Sequence, residues 1–345
     1  MGRPLLLISD ATKTCGVEEF ARQAALRMDA ATQVLGAPGL SAALRDSDDL
    51  VLNLPVVAWK RRLVSPIAAA LQARLAGRGV TLILHEWADL ATARRISYLP
   101  LLALATRLLF SAPEVMAQFK ATPVSAIATK RRDVLPIPPN FAVPQWTKAS
   151  ALSEALAGDR ARGRLVLAQF GSIYPRKDPL VLLDVAAELV RREVDMRVVF
   201  IGSFIGEAVE AAFWARADAL ALRDRVTVSG YVSGAEELYG LFGEVDVFLY
   251  PLGEGLTSRR ASVLAAALSG RPVVVSAPER ADSLTHHALF RRLVRQGTLQ
   301  FAPRDATPPV LADAVLAARA TPARRMVAAE DVEAIWADVV AALRA

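Results

Sequence analysis

Val247-Phe248-Leu249-Tyr250-Pro251-Leu252-Gly253-Glu254-Gly255-Leu256-Thr257-Ser258-Arg259-Arg260 decides how the chain is read, together with Gly270-Arg271-Pro272-Val273-Val274-Val275 after it. Four apolar residues, Val247 to Tyr250, make a buried strand. Two glycines flanking an acid let the backbone curl tightly. Ala261 to Ser269 is helical in pattern, and Gly270 and Pro272 end it before the next apolar strand. Strand, loop, helix and strand in that order form a βαβ unit, and strands this uniformly apolar belong to a parallel sheet covered on both faces.

The same pattern extends outward. Leu165 to Phe170 is a strand, Leu180 to Arg192 a helix and Arg197 to Ile201 a strand, with a further strand at Val226-Thr227-Val228. In the first half, Leu5 to Ile8 and Leu50 to Leu52 are strands. Helices are expected over Val17 to Met28 and Leu63 to Leu75, and Thr81 to Leu84 is a strand ending on His85. Between the halves, Ile137-Pro138-Pro139-Asn140-Phe141, Pro144 and a polar segment from Thr147 to Arg164 form an interdomain linker, because prolines at that density oppose helix and central strand. The reading is α/β, with two Rossmann-like domains at 1–145 and 146–345 and ligands beyond the carboxyl ends of the strands in a central cleft. The amphipathic tail, 327–345, either packs back on the first domain or is simply the last helix of the second.

Length and composition suit two domains. There are 345 residues, 53% hydrophobic, enough to fill two cores. The net charge of +6 attracts phosphates, anionic lipids and nucleic acid alike. No zinc-finger spacing, aromatic-rich RNA signature or recognition helix is present, so nucleic acid is not an expected partner. Cys15 is the only cysteine, which excludes an internal disulfide and fits a reducing cytoplasm. The start, Met1-Gly2-Arg3-Pro4 and a short apolar run, does not resemble a signal peptide. The longest apolar stretch, Ile96 to Ala112, is broken by Pro100 and Arg107. Trp59-Lys60-Arg61-Arg62, joined by Lys130-Arg131-Arg132, reads either as a basic edge against an anionic membrane or as a solvated face.

Three segments carry candidate chemistry. Gly171-Ser172-Ile173-Tyr174-Pro175-Arg176-Lys177-Asp178 follows a strand and precedes a helix, a place where backbone amides and cations receive phosphate. Gly202 ends the next strand and allows close backbone approach. In the loop from Gly253 to Arg260, the acid suits sugar hydroxyls and the helix start suits a phosphate. Arg259 and Arg260 at a helix N-terminus oppose its dipole, which implies an anionic partner; arginines simply exposed to solvent are the alternative. Asp46-Ser47-Asp48 has the spacing of a metal-binding acid pair but reads as a solvated turn. His286 and His287 read as surface histidines.

The order of these motifs resembles glycosyltransferase family 4. Its landmarks correspond to Gly171 with Lys177, Ile201-Gly202, Ser229-Gly230-Tyr231-Val232, Asp246 through Gly255, and Gly270-Arg271-Pro272-Val273-Val274. In the first half they correspond to Cys15-Gly16-Val17-Glu18-Glu19-Phe20, His85, Ser111 and Pro139-Asn140. The resemblance spans most of residues 5–276. It implies the GT-B fold, a retaining reaction, no divalent metal or other cofactor, and a nucleotide-diphosphate sugar as co-substrate. It implies that Lys177 binds the donor pyrophosphate, that Glu254 faces the donor sugar, that Gly16 admits the donor phosphate and that His85 lies near the reacting sugar. Gly171, Ser172, Arg176, Gly202, Tyr231, Gly253, Gly255, Leu256, Thr257, Ser258, Arg259 and Arg260 complete the expected donor set. Carbohydrate or lipid-linked acceptors are implied, in cell-surface polysaccharide, lipid-linked oligosaccharide or glycolipid synthesis at the inner face of the cytoplasmic membrane. Two positions depart from the pattern. Ser172 stands where many members have arginine, with Arg176 as the compensating cation. Ser262, or Ala265 when Gly270 is taken as the anchor, stands where many have the second glutamate, which normally binds the ribose. A nucleotide-sugar epimerase, or a degenerate donor-binding protein, is the alternative reading.

Overall fold

The computed structural model describes residues 3–12, 15–126, 131–139 and 142–345. Two compact units form: Met1–Asn140 with Glu333–Ala345, and Phe141–Val332.

The N-terminal unit runs β1 (Pro4–Ile8), α1 (Gly16–Met28), β2 (Ala31–Val34), α2 (Leu40–Arg45), β3 (Asp49–Leu54), α3 (Val64–Leu75), β4 (Gly79–Leu84), α4 (Thr92–Ser97), α5 (Leu99–Leu104), β5 (Arg107–Phe110), α6 (Pro113–Lys120) and β6 (Arg131–Val134). All pairs are parallel, in the order β2-β1-β3-β4-β5-β6. The central strands are predominantly apolar and buried because helices cover both faces. The loop after β1 is set by Glu18, which is 1% exposed. Its carboxylate accepts from the Ser9 backbone N–H and hydroxyl, each at 2.7 Å, and from Arg22 at 2.9 Å.

The second unit runs α7 (Ala151–Ala161), β7 (Leu165–Phe170), α8 (Pro179–Arg191), β8 (Met196–Ile201), α9 (Glu207–Ala219), β9 (Val226–Val228), α10 (Ala235–Gly243), β10 (Val247–Tyr250), α11 (Ala261–Leu268), β11 (Val273–Ser276), α12 (Ala288–Arg295), β12 (Leu299–Ala302) and α13 (Pro308–Arg319). Its parallel sheet has the order β12-β11-β10-β7-β8-β9. The chain moves outward from β7 through β8 to β9, then returns to the other side of β7 with β10. β7 and β10 therefore flank the reversal point, where an open α/β sheet leaves a crevice at its carboxyl edge.

Several expectations need correction. The polar segment Thr147 to Arg164 is not a linker throughout, because residues 151–161 form α7. Ser150 and Ser153 cap its start reciprocally, and buried Asp159 ties it to the sheet through Arg164 at 3.0 Å and Arg197 at 2.9 Å. Four strands were not expected: β2, β5, β6 and β12. Three of these lie at sheet edges, where one side needs no neighbour and polar residues are tolerated. Trp59 is buried and its ring fills the N-terminal core, so it does not form a membrane edge. His287 is fully buried and packs edge-on against Phe290 at 4.9 Å, contrary to a surface histidine. Met1, Gly2, Lys130, Asn140 and Phe141 lie outside the described residues.

The last helix, α14 (Ala329–Arg344), joins the N-terminal unit from Glu333 onward. Trp336 stacks on Phe20 at 5.5 Å, and Arg27 lies over the same indole while pairing with Glu333 at 2.6 Å. No helix among the described residues is long and apolar enough to cross a membrane.

Glu18→Gln keeps the shape of this side chain but turns an amide donor toward groups that are already donors. It is expected to lower unfolding free energy by about 2 kcal/mol, read from the urea midpoint at unchanged denaturant slope.

Candidate functional site

In the C-terminal unit, both phosphate-type loops leave the strands flanking the reversal point. After β7 the chain turns at Gly171, whose φ of +104° suits glycine. A methyl group there would press on Lys177 Nζ and lie 3.2 Å from Ser262 Cβ. Gly202, at the end of β8, packs directly on the Gly171 backbone; a Cβ would lie 2.8 Å from the Gly171 carbonyl carbon. Ile173 N–H donates to Ser203 O at 2.9 Å and Ile205 N–H to Ile173 O at 3.0 Å, so the loops after β7 and β8 extend the sheet pairing. These glycines are required by close approach.

Lys177 is 6% exposed. Its ammonium donates to Phe170 O at 3.2 Å and lies 5.8 Å from the Tyr174 ring centroid. It makes no ion pair among the described residues. Burial, reinforced by the nearby Arg260 cation, pushes its pKa down from 10.5 to about 7. A buried lysine held beside an arginine brings two like charges together.

The loop after β10 supplies the rest. Gly253 N–H donates to Asp178 Oδ2 at 3.1 Å, which ties it to the β7 loop. Gly255 takes φ +75° and bends the loop back so that Leu256 N–H reaches Ser276 O at 3.1 Å. Glu254 is paired with Arg176 at 3.3 Å and with Arg260. Arg260 also donates to the Tyr174 hydroxyl at 3.2 Å. Arg260 caps the start of α11, so this cation does stand at a helix N-terminus.

Of the expected donor residues, Gly171, Arg176, Lys177, Gly253, Glu254 and Arg260 are brought together by these contacts. Gly202 buttresses them. Ser172 and Tyr231 are exposed, the latter by 77%. Arg259 is half-buried. Leu256, Thr257 and Ser258 are buried, and the Leu256 side chain points into the core. In the N-terminal unit, His85 follows β4 and Gly16 opens α1. His85 Nε2 is 3.1 Å from Asn53 Oδ1, its ring meets Phe20 of α1 edge-on at 5.6 Å, and its carbonyl accepts from Ser111 Oγ at 3.1 Å. Asp48 of the acid pair is bound by the Arg3 N–H at 3.1 Å.

Three residues were missed as functional. Tyr174 contacts both Lys177 and Arg260 and lay unmarked inside the quoted loop. Asp178 holds Gly253. Tyr250 ends β10, and its buried hydroxyl accepts from Phe170 N–H at 3.1 Å and donates to Ser262 O at 3.2 Å. It locks the end of β7 to the start of α11. A tyrosine closing an otherwise aliphatic strand was the available signal.

Residues 164–320 match the family described as Glycosyl transferases group 1, so the C-terminal unit carries a glycosyltransferase domain. With two six-stranded parallel sheets, the fold is GT-B. A sucrose-phosphate synthase from Thermosynechococcus elongatus is similar at TM-score 0.69 and 17% identity, covering 99% of this chain and 98% of that one. Anabaena Alr3699/HepE in complex with UDP-glucose is similar at TM-score 0.62 and 15% identity, covering 99% and 94%. WaaG, a glycosyltransferase involved in lipopolysaccharide biosynthesis, is similar at TM-score 0.53 and 15% identity, covering 97% and 95%. No curated protein matches the chain in sequence.

The unfolded chain keeps the Lys177 proton up to about pH 10.5, whereas the folded chain releases it near 7. Unfolding therefore takes up a proton between these values, and stability rises with pH across that window. Lys177→Met is expected to remove this rise in a series of urea titrations. A diphosphate bound at Lys177 restores the proton. At pH 8, binding of inorganic pyrophosphate as a probe anion is then expected to take up a proton, read calorimetrically in two buffers of different ionisation enthalpy, and Lys177→Met is expected to abolish the uptake.

Proposed function

We propose that the chain is a retaining glycosyltransferase of family 4 that moves a sugar from a nucleotide-diphosphate sugar to a hydroxyl acceptor. The observation that carries this is the buried Lys177 ammonium, with no ion pair among the described residues and with Arg260 nearby, at the carboxyl ends of β7 and β10. The group 1 match over residues 164–320 and the likeness to a UDP-glucose complex support the same reading.

In this mechanism the bond from the anomeric carbon to the diphosphate oxygen breaks first. Charge collects on the leaving phosphate, and Lys177 with Arg259 or Arg260 stabilises it. These cations do the neutralising, so turnover is expected to persist in EDTA. The acceptor oxygen attacks the same face of the sugar and passes its proton to the departing phosphate oxygen, which retains the configuration. Glu254 holds the donor sugar hydroxyls once the diphosphate competes for its arginines. His85, oriented by Asn53, is assigned to the reacting sugar.

The acceptor in this proposal is a carbohydrate or lipid-linked hydroxyl in cell-surface polysaccharide, lipid-linked oligosaccharide or glycolipid synthesis, at the inner face of the cytoplasmic membrane. Exposed Val57, Leu63 and Val64 beside exposed Lys60 and Arg61 support peripheral contact with an anionic surface there.

Calorimetry with UDP- and GDP-sugars, followed by product analysis with candidate acceptors, tests the proposal. Lys177→Ala is expected to lower kcat by about 100-fold or more, the loss typical of one transition-state charge donor, with an unchanged circular dichroism spectrum. Wild-type turnover in that variant removes Lys177 from the mechanism. Donor epimerised without any acceptor consumed overturns the transferase assignment.

A further inference from the structure

A second cavity in the C-terminal unit shares no lining residue with the donor loops. Its volume is about 450 Å³, inside the range of small-molecule sites. Leu284, Val294 and Phe301 supply apolar lining, and Arg280, Arg291 and Arg295 add three guanidinium groups. Phe301 of β12 is 42% exposed, so its ring lacks cover within the unit. Arg291 and Arg295 lie one turn apart on α12 and therefore side by side.

The surrounding charges do not balance. Asp282 is taken by Arg280 at 2.8 Å, Glu279 faces Arg304 at 3.8 Å, and Asp331 is taken by Arg292 at 2.8 Å. Arg291 and Arg295 have no ion-pair partner among the described residues. Neighbouring His286 adds no negative charge. Burial pushes its pKa down to about 4, Arg291 reinforces this and Asp282 opposes it, so the ring is neutral at pH 7. Two adjacent like charges on one helix repel each other, and a solvated face would not need apolar walls beside them. An acidic group bound between the two arginines resolves both features. The guanidinium fork matches phosphate and carboxylate geometry.

We propose that this cavity binds a small anionic amphiphile, with its acidic head held by Arg291 and Arg295 and its hydrocarbon body lying against Leu284, Val294 and Phe301. The proposal stands independently of the donor site.

The test is calorimetric titration of the full chain with dodecyl phosphate below its micelle concentration, with and without saturating UDP. One saturable site that is unchanged by UDP is expected. Inorganic phosphate and dodecyl maltoside are each expected to bind at least about tenfold more weakly, since each offers only half of the recognition. The double variant Arg291→Gln/Arg295→Gln is expected to weaken dodecyl phosphate by about tenfold or more. Should that variant fold poorly by thermal melt, Phe301→Ser provides the second reading, with loss of the preference for dodecyl phosphate over inorganic phosphate. The proposal is overturned by absence of binding, by equal binding of inorganic phosphate or dodecyl maltoside, by displacement with UDP, or by affinity untouched in the variants. Binding confined to phosphatidylglycerol vesicles, with none to the monomeric probe, assigns the arginines to a membrane surface and also overturns it.

Discussion

A lysine ammonium buried without a carboxylate partner among the described residues is the constraint on which the C-terminal site depends. Taking a charge out of water is costly unless a partner compensates it. Here the compensation inside the chain is one carbonyl oxygen, Phe170 O, and the face of Tyr174. Ser262 sits beside the Gly171 turn that also holds Lys177. The serine found where the family resemblance expects a second acid, and the unneutralised charge of Lys177, are thus two sides of one fact. A carboxylate there would have offered Lys177 and Arg260 a resident counter-ion. Without it, the folded chain meets the burial of Lys177 by lowering its pKa to about 7. Glu254, already shared between Arg176 and Arg260, does not fill that role.

The buried strands of the site were legible from sequence because their physics is local. β7 and β10 run over the expected residues, since buried, largely apolar runs between turn residues admit little else. Three of the four edge strands, β2, β6 and β12, were not legible. β2 reads Ala31-Thr32-Gln33-Val34 and β6 reads Arg131-Arg132-Asp133-Val134, and neither has the apolar run that marks a central strand. α7 was hidden for a different reason. Its polar surface and the prolines before it resemble a linker, and long-range contacts make it part of the sheet's cover: Asp159 with Arg164 and Arg197, Arg160 with Glu244 and Asp246, and buried Leu156.

In the site itself, sequence carried the residue types but not their pairing. Lys177, Glu254 and Arg260 stand out by motif, yet nothing in their spacing says that Glu254 bridges two arginines while Lys177 stays alone. That depends on β10 lying next to β7, a neighbour relation between strands 80 residues apart. Tyr174, Asp178 and Tyr250 were missed for the same reason, since each acts on a residue distant in sequence. His287 reversed expectation because its burial is decided by Phe290 and the core below it.

The hydroxyl of Tyr250 joins the end of β7 to the first turn of α11, and Asp178 joins the two loops above it. The loops after β7 and β10 and the start of α11 are thereby a single stiff piece in which each residue also holds up a neighbour. Tyr231, largely exposed beyond β9, carries no such duty. Variation is therefore cheap on one side of the reversal point and expensive on the other. A lineage diversifying from this chain would drift at the β9 rim long before it could alter the loops that follow β7 and β10.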